Sequence, residues 1–226
     1  MSRRVGVVRF PGTNCEFDTV DAINALGGHA EVLWHSAADL GNVDAIVIPG
    51  GFAHGDYLRC GAIARFSPIM ETIAAFARNG GPVLGICNGF QVLTEAGILP
   101  GALQKNVGLK FLCAMQQIEF VSTSNIIGVG ASAGELLNIP INHFEGNYVC
   151  SEETLKELEE ENRIVFRYTD NPNGSIGDIA GISNEQGNVV GMMPHPERAT
   201  STILGSNDGS RLLESLLGAS QVTPSQ

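Results

Sequence analysis

The sequence predicts an α/β protein built on a mainly parallel sheet. Three observations carry that prediction. Short apolar, β-branched segments alternate with helix-spaced segments through residue 96. Glycine and proline pairs punctuate the joins, as at Pro11-Gly12, Gly27-Gly28 and Pro49-Gly50-Gly51. The second half then changes character. It holds strand-like segments, two of them separated by Glu185-Gln186-Gly187, a composition suited to a hairpin turn.

Val5 to Phe10 is β-branched and stops at Pro11-Gly12, so it reads as a buried strand. Thr19 to Leu26 carries Val20, Ile23 and Leu26 on one helical face and ends at Gly27-Gly28, a suitable C-cap. Glu31 to Trp34 and Ala45 to Ile48 are the next strands. Pro68 to Arg78 places Ile69, Ile73, Ala74 and Ala77 at helical spacing. Pro82 to Ile86 is a fourth strand, and Gly89 to Glu95 a helix. In the second half, Gln116–Val121, Leu136–Ile141, Ile164–Tyr168, Ile179–Ser183 and Val189–Met193 read as strands. Ser151 to Glu160 reads as a helix with Ser151 as N-cap and Leu155 and Leu158 inward. Asp208 to Leu217 is a final helix, and Gln221 to Gln226 a frayed polar tail.

With 226 residues, 43% hydrophobic and 16% charged, the chain can bury one sizeable core, and a single domain over 1–226 is expected. No stretch approaches the roughly 18 apolar residues of a membrane span, and Met1-Ser2-Arg3-Arg4-Val5 turns polar too soon for a secretory signal. A cytoplasmic protein is expected. A net charge of −11 argues against a nucleic-acid partner, because neutralising phosphates needs Lys and Arg. The five cysteines, Cys15, Cys60, Cys87, Cys113 and Cys150, are widely spaced and form no CxxC pair. Neither a disulfide framework nor a metal is expected, and Cys15 and Cys60 read as structural.

Cys87 stands apart. In Gly85-Ile86-Cys87-Asn88-Gly89-Phe90-Gln91 a buried strand runs into a cysteine with glycines two residues to either side, then into a helix. That is the logic of a nucleophile elbow, with the sulfur at a helix N-terminus where the thiolate is favoured. Taken alone, the motif is equally well explained by a strand-end cysteine among turn glycines. The partner candidates decide between the two. Pro194-His195-Pro196-Glu197 follows an apolar strand, and its prolines restrict the backbone around His195. His195 can serve as general base and acid, with Glu197 two residues on to set its tautomer. The amide of Asn88, with that of Gly51 or Phe52 in Pro49-Gly50-Gly51-Phe52, would receive an oxyanion. Gln91 and His143 join them as substrate-binding candidates. The loops Ala53–Arg59, His143–Gly146 and Asp170–Ser175 are candidates for the mouth. No GxGxxG or P-loop is present, so no ATP cradle is expected in this chain.

Gly85-Ile86-Cys87-Asn88-Gly89 with a distant Pro194-His195-Pro196-Glu197 resembles the triad-type (class I) glutamine amidotransferases. Pro11 to Cys15, Pro49 to Arg59, Tyr168 to Ser175 and Gly191 to Arg198 narrow the likeness to stand-alone glutaminase subunits that serve a purine-biosynthetic synthetase. The resemblance implies a flavodoxin-like open sheet with helices on both faces. It implies Cys87 as nucleophile, His195 as base and Glu197 as its orienter. It implies no cofactor in this chain, with ATP and magnesium on a large synthetase subunit that takes formylglycinamide ribonucleotide, and a small third subunit. One departure is Phe144, where the family's His-Gly-Glu-Gly type loop has glycine. Three rival readings are a glutaminase feeding another synthase, such as the one making pyridoxal phosphate, a stand-alone cysteine hydrolase, and a non-catalytic regulatory subunit. The Asp170–Ser175 loop argues against the first and the intact Cys87, His195 and Glu197 against the last. Co-purification with a partner would decide the second.

Overall fold

The computed structural model describes residues 2–218, so the expected 221–226 tail lies outside the described residues. Nine strands form one sheet in the order β2-β1-β3-β4-β11-β10-β9-β6-β7. Its first half is parallel: β1 (Arg4–Arg9), β2 (His29–Trp34), β3 (Ala45–Ile48), β4 (Val83–Ile86) and β11 (Val189–Met192). Every residue of β3, β4 and β11 is buried, as expected of parallel strands covered on both faces. The antiparallel half is β10 (Ile179–Ser183), β9 (Ile164–Tyr168), β6 (Leu112–Phe120) and β7 (Leu136–His143). The expected hairpin is β10–β11, turned at Gly187 with φ 70°. Beyond that hairpin, the antiparallel region continues the same sheet to its far edge.

Helix α1 (Glu16–Ala25) packs on β1 and β2, and α3 (Asn88–Glu95) on β3, β4 and β11. Helix α2 is Pro68–Arg78, α4 is Glu152–Glu160 and α5 is Asp208–Gly218. Ser151 caps α4 as predicted, its hydroxyl accepting from the Thr154 amide at 3.1 Å, with Leu158 buried beneath. Helix α1 starts three residues earlier than its apolar spacing suggests. Its first turn carries Glu16 and Asp18, acids that favour a helix N-terminus but show no periodicity. Strand β6 likewise begins at Leu112 instead of Gln116, because residues 112–115 pair with 140–143 of β7. The short strands β5 (Ala102–Gln104) and β8 (Asn147–Val149) pair with each other in a separate small sheet that local pattern does not reveal. Among the described residues no helix is long and apolar enough to cross a membrane.

The register positions the functional residues. Ile48 lies opposite Gly85, and Ile86 opposite Met192. The parallel strands therefore end together, delivering Gly50, Cys87 and His195 to one edge of the sheet, where open α/β folds bind ligands. Close packing secures the elbow at Gly89, where a Cβ would sit 1.8 Å from the Ile48 carbonyl oxygen. Gly89→Ala should therefore destabilise the fold by about 3 kcal/mol, the upper end for an overpacked core. Urea unfolding checks this, and an unchanged midpoint would contradict the packing described.

Candidate active site

Cys87 joins β4 to α3 with φ 51° and ψ −103°, a conformation costly for any residue with a Cβ. The surroundings over-determine it. Its amide donates to the Met192 carbonyl at 2.8 Å, and its carbonyl accepts from the Gln91 amide at 3.1 Å. A Cβ at Gly85 would meet Leu93 Cδ1 at 2.5 Å and the backbone of Gly89 at 2.8 Å, so the glycine lets strand and helix approach. The thiol is nearly buried and lies 3.6 Å from the Asn142 carbonyl, to which it donates.

His195 is held by its own amide, which donates to the Pro140 carbonyl at 2.8 Å. The short helical turn Pro196–Arg198 carries Glu197 back to the ring, and Glu197 Oε1 lies 2.7 Å from His195 Nδ1. Both side chains are buried. His195 Nδ1–H donates to the carboxylate, which leaves Nε2, without a hydrogen-bond partner, as the working nitrogen. Burial disfavours the imidazolium, but Glu197, then the sulfur of Cys87, outweigh it and hold His195 well above its ordinary pKa. The chain thus places an imidazolium, ready to donate a proton, in the field of the candidate nucleophile. Gly50 lies against this ring: a Cβ there would be 2.6 Å from His195 Cε1. Gly50→Ala should displace the imidazole and lower the kcat of any reaction that uses it about 100-fold, the cost of a misplacement near 1 Å. Steady-state kinetics check it, and a near-wild-type kcat would refute the contact's importance.

His143 ends β7 and lines the same cavity. Its tautomer follows from Asn106. The Asn106 Nδ2 donates to the carbonyls of Lys110 and His143 at 2.9 and 3.0 Å, so its Oδ1 accepts, from the Gly146 amide and from His143 Nδ1 at 3.1 Å. His143 Nε2 is then a buried lone pair with no partner in the protein, suited to accept a hydrogen bond from substrate or water. Burial, then the neighbouring His195, lowers the His143 pKa to about 4. The unfolded chain binds a proton below about 6.5 that the folded chain refuses until about pH 4. Stability from this site is therefore complete above pH 6.5 and falls by about 3 kcal/mol on acidification toward pH 4. The raised His195 has the opposite sign, its contribution fading only as pH rises through its elevated value. Urea unfolding at pH 4.5 and 7 should show a slope that His143→Gln flattens. An equal slope in that variant would count against the assignment.

The remaining cavity wall is a polar network. Asn88 Oδ1 accepts from the Ala53 amide at 2.9 Å, while its Nδ2 donates to Asp56 Oδ1 at 3.1 Å and Gln91 Oε1 at 2.8 Å. Gln91 Nε2 donates to the Glu145 carbonyl at 2.6 Å. These side chains tie the Ala53–Arg59 loop to the His143–Gly146 loop around a cavity of about 210 Å³, into which Asp56 and Glu145 bring acidic groups. Burial, ahead of hydrogen bonds from Cys60 and Asn88 that pull the other way, raises the pKa of Asp56.

The oxyanion candidates are narrowed. The Phe52 amide already donates to the Gly12 carbonyl at 3.0 Å and is not available. Gly51, with φ 148° and no space for a Cβ beside Thr13 and Asn14, is left as the partner of the Asn88 amide. The Asp170–Ser175 loop is not at the mouth. Asn173 Nδ2 and Ser175 Oγ donate to the Gly146 carbonyl at 2.8 and 3.3 Å and brace the His143–Gly146 loop from behind. Phe144 has no left-handed backbone. The position that excludes a side chain is Gly146, where a Cβ would lie 2.3 Å from the His143 ring. Phe144 therefore fits without reshaping the loop.

Sequence reading missed three contributors: Asn106, Gly50 as a contact of His195, and Cys15. None had a local signal of its role, and this includes Cys15, because the helix that follows it starts at Glu16 without apolar periodicity. Its sulfur lies with His195 and Glu197 in a cluster of ligand atoms mutually within 4.8 Å, the one group among the described residues able to hold a metal.

Residues 2–211 match the family of CobB/CobQ-like glutamine amidotransferase domains. The chain is 53% identical over 96% of its length to the phosphoribosylformylglycinamidine synthase subunit PurQ of Koribacter versatilis, covering 98% of it. It is 54% identical over 94% of its length to the protein of the same name from Chlorobaculum parvum, covering 88% of it. It superposes with a TM-score of 0.90 and 38% identity on a chain of the Thermotoga maritima PurLQS structure, covering 96% of this chain and 99% of that one. A putative GMP synthase component from Thermoplasma acidophilum shares the fold, with a TM-score of 0.67 at 14% identity over 96% of this chain and 94% of that one. With residues 2–211 matched by that family, the chain belongs to the CobB/CobQ-like glutamine amidotransferases.

Proposed function

We propose that this chain is the glutaminase subunit of phosphoribosylformylglycinamidine synthase, feeding ammonia from glutamine to a synthetase subunit in purine biosynthesis. The relatives' names and the share of both chains that the matches cover support the assignment. The observation that carries the chemistry is the strained Cys87 facing one cavity with the buried His195–Glu197 pair. The Cys87 thiolate adds to the carboxamide carbon, and the amides of Asn88 and Gly51 receive the negative oxygen. His195 Nε2 gives its proton to the nitrogen as the C–N bond breaks, releasing ammonia and leaving a γ-glutamyl thioester. Water then attacks the thioester, His195 takes its proton, and glutamate departs as the C–S bond breaks. His143 Nε2 and the acids Asp56 and Glu145 orient the amino-acid end of the substrate.

Ammonia then replaces the amide oxygen of formylglycinamide ribonucleotide on the large synthetase subunit, where ATP, with magnesium, would carry that oxygen away as phosphate. A small third subunit completes the complex, in a cytoplasmic setting. An apolar rim supports docking of a partner over the mouth: Phe52, Tyr57 and Leu58 are exposed beside it, Leu58 at 93%. The test is reconstitution with the two synthetase subunits and glutamine as nitrogen donor. Glutamate and formylglycinamidine ribonucleotide should form together only when this chain is present. If ammonia supports product while glutamine plus this chain does not, the proposal fails.

A further inference from the structure

We propose that Cys15, His195 and Glu197 form a binding site for zinc, and that zinc held there silences the glutaminase. Their ligand atoms, one sulfur, one imidazole nitrogen and one carboxylate oxygen, lie within 4.8 Å of one another, and all three residues are buried. Thiolate, imidazole and carboxylate are the donors zinc selects, whereas magnesium and calcium favour oxygen. Glu197 Oε2 is buried without a hydrogen-bond partner, a free acceptor inside the cluster. Gly50 makes the approach possible, since a Cβ there would lie 3.2 Å from the Cys15 sulfur and 2.6 Å from His195 Cε1.

The environment accommodates the charge. Zinc displaces the proton between His195 Nδ1 and Glu197 and the proton that Cys15 shares with Asn14 Oδ1, 3.4 Å away. One thiolate and one carboxylate then balance the dication, and affinity rises with pH because protons are released. The cation nearby, Arg198, donates to the Cys15 sulfur at 3.2 Å but shares its charge with Asp18 through bonds of 3.1 and 3.0 Å. It can remain as a hydrogen-bond donor to metal-bound sulfur, a usual outer partner. A second cavity of about 600 Å³ is lined by His195 and Glu197 together with Asp18, Asp21 and Arg198, which gives a cation a route to the cluster. Bound zinc takes the nitrogen and the carboxylate that set the His195 tautomer, so proton transfer stops.

The site itself stands on this geometry, whereas its inhibitory consequence rests on the glutaminase reading. The experiment titrates zinc chloride into the full chain against a chelating dye, and records zinc-edge X-ray absorption of the loaded protein. Wild type should take up one zinc with one sulfur neighbour. Cys15→Ser and Cys15→Ala should each weaken binding at least tenfold and lose the sulfur signal, while Cys87→Ser keeps both. Circular dichroism confirms that each variant is folded. In the reconstituted complex, zinc should inhibit glutamine-dependent but not ammonia-dependent turnover, with at least tenfold more zinc needed for Cys15→Ser. Unchanged binding in Cys15→Ser, or a sulfur signal lost in Cys87→Ser, overturns the site. Tight binding through Cys15 that leaves glutamine-dependent turnover intact overturns the inhibition alone.

Discussion

Cys87→Ala in a reconstituted complex should lower glutamine-dependent turnover by about 10⁴-fold or more, while ammonia-dependent turnover stays at the wild-type level. Loss of a covalent nucleophile costs on that order because no other group takes over the attack. The structure gives little room for a substitute. Cys15 lies beside His195, but with Arg198 on its sulfur, and Cys60 is turned toward Asp56 and Glu145, where burial, ahead of those two acids, pushes its thiol far up. The substitution should leave the fold intact, because alanine keeps the Cβ and the thiol makes one long hydrogen bond, to the Asn142 carbonyl. Glutamate release and product formation, assayed with glutamine and with ammonia, measure both halves. A variant that keeps glutamine-dependent turnover would remove Cys87 from the chemistry. One that loses ammonia-dependent turnover as well would point to a structural role in the complex.

The second large effect is expected at Glu197. Glu197→Gln is nearly isosteric, but an amide reads the imidazole differently. If the amide oxygen faces His195 Nδ1, its NH2 occupies the buried position where Glu197 Oε2 has no partner, an unsatisfied donor. If the NH2 faces Nδ1, the ring carries its proton on Nε2 and cannot act as base. Either way the carboxylate's support for the imidazolium disappears, and burial, opposed then mainly by the sulfur of Cys87, lowers the His195 pKa. A fall in kcat of about 10⁴-fold follows from the wrong tautomer alone in comparable triads. The acidic and basic limbs of the kcat profile should move with it. A merely structural role would lower Tm and leave the pH profile in place, which makes the profile the deciding measurement.

Much of the site was legible along the chain because its parts are local. The elbow needs only a strand, a cysteine and two glycines within five residues, and each glycine has a contact that excludes a Cβ. Glu197 is two residues from His195, so one helical turn suffices to bring its carboxylate to Nδ1. The buried strands announced themselves by unbroken apolar runs. Where first turns are polar, as at Glu16, or strands are half exposed, as in β6 before Gln116, periodicity gave the wrong boundary. The oxyanion candidates show the limit from another side. Whether an amide is free depends on what lies opposite it, and Gly12 opposite Phe52 is a tertiary fact.

By itself, then, the sequence determined the alternation of strands and helices, the strained turn that presents Cys87, and the proline-framed His195 with its carboxylate. Each follows from steric and hydrogen-bonding rules acting over a few residues. Only the tertiary structure decided which groups meet: Gly50 beneath the imidazole, Asn106 setting the tautomer of His143, the Asp170–Ser175 loop bracing from behind, and Cys15 against His195 and Glu197. These contacts join positions far apart in the chain, brought together because parallel strands in register end at one edge of the sheet. No local pattern encodes which distant backbone will arrive there.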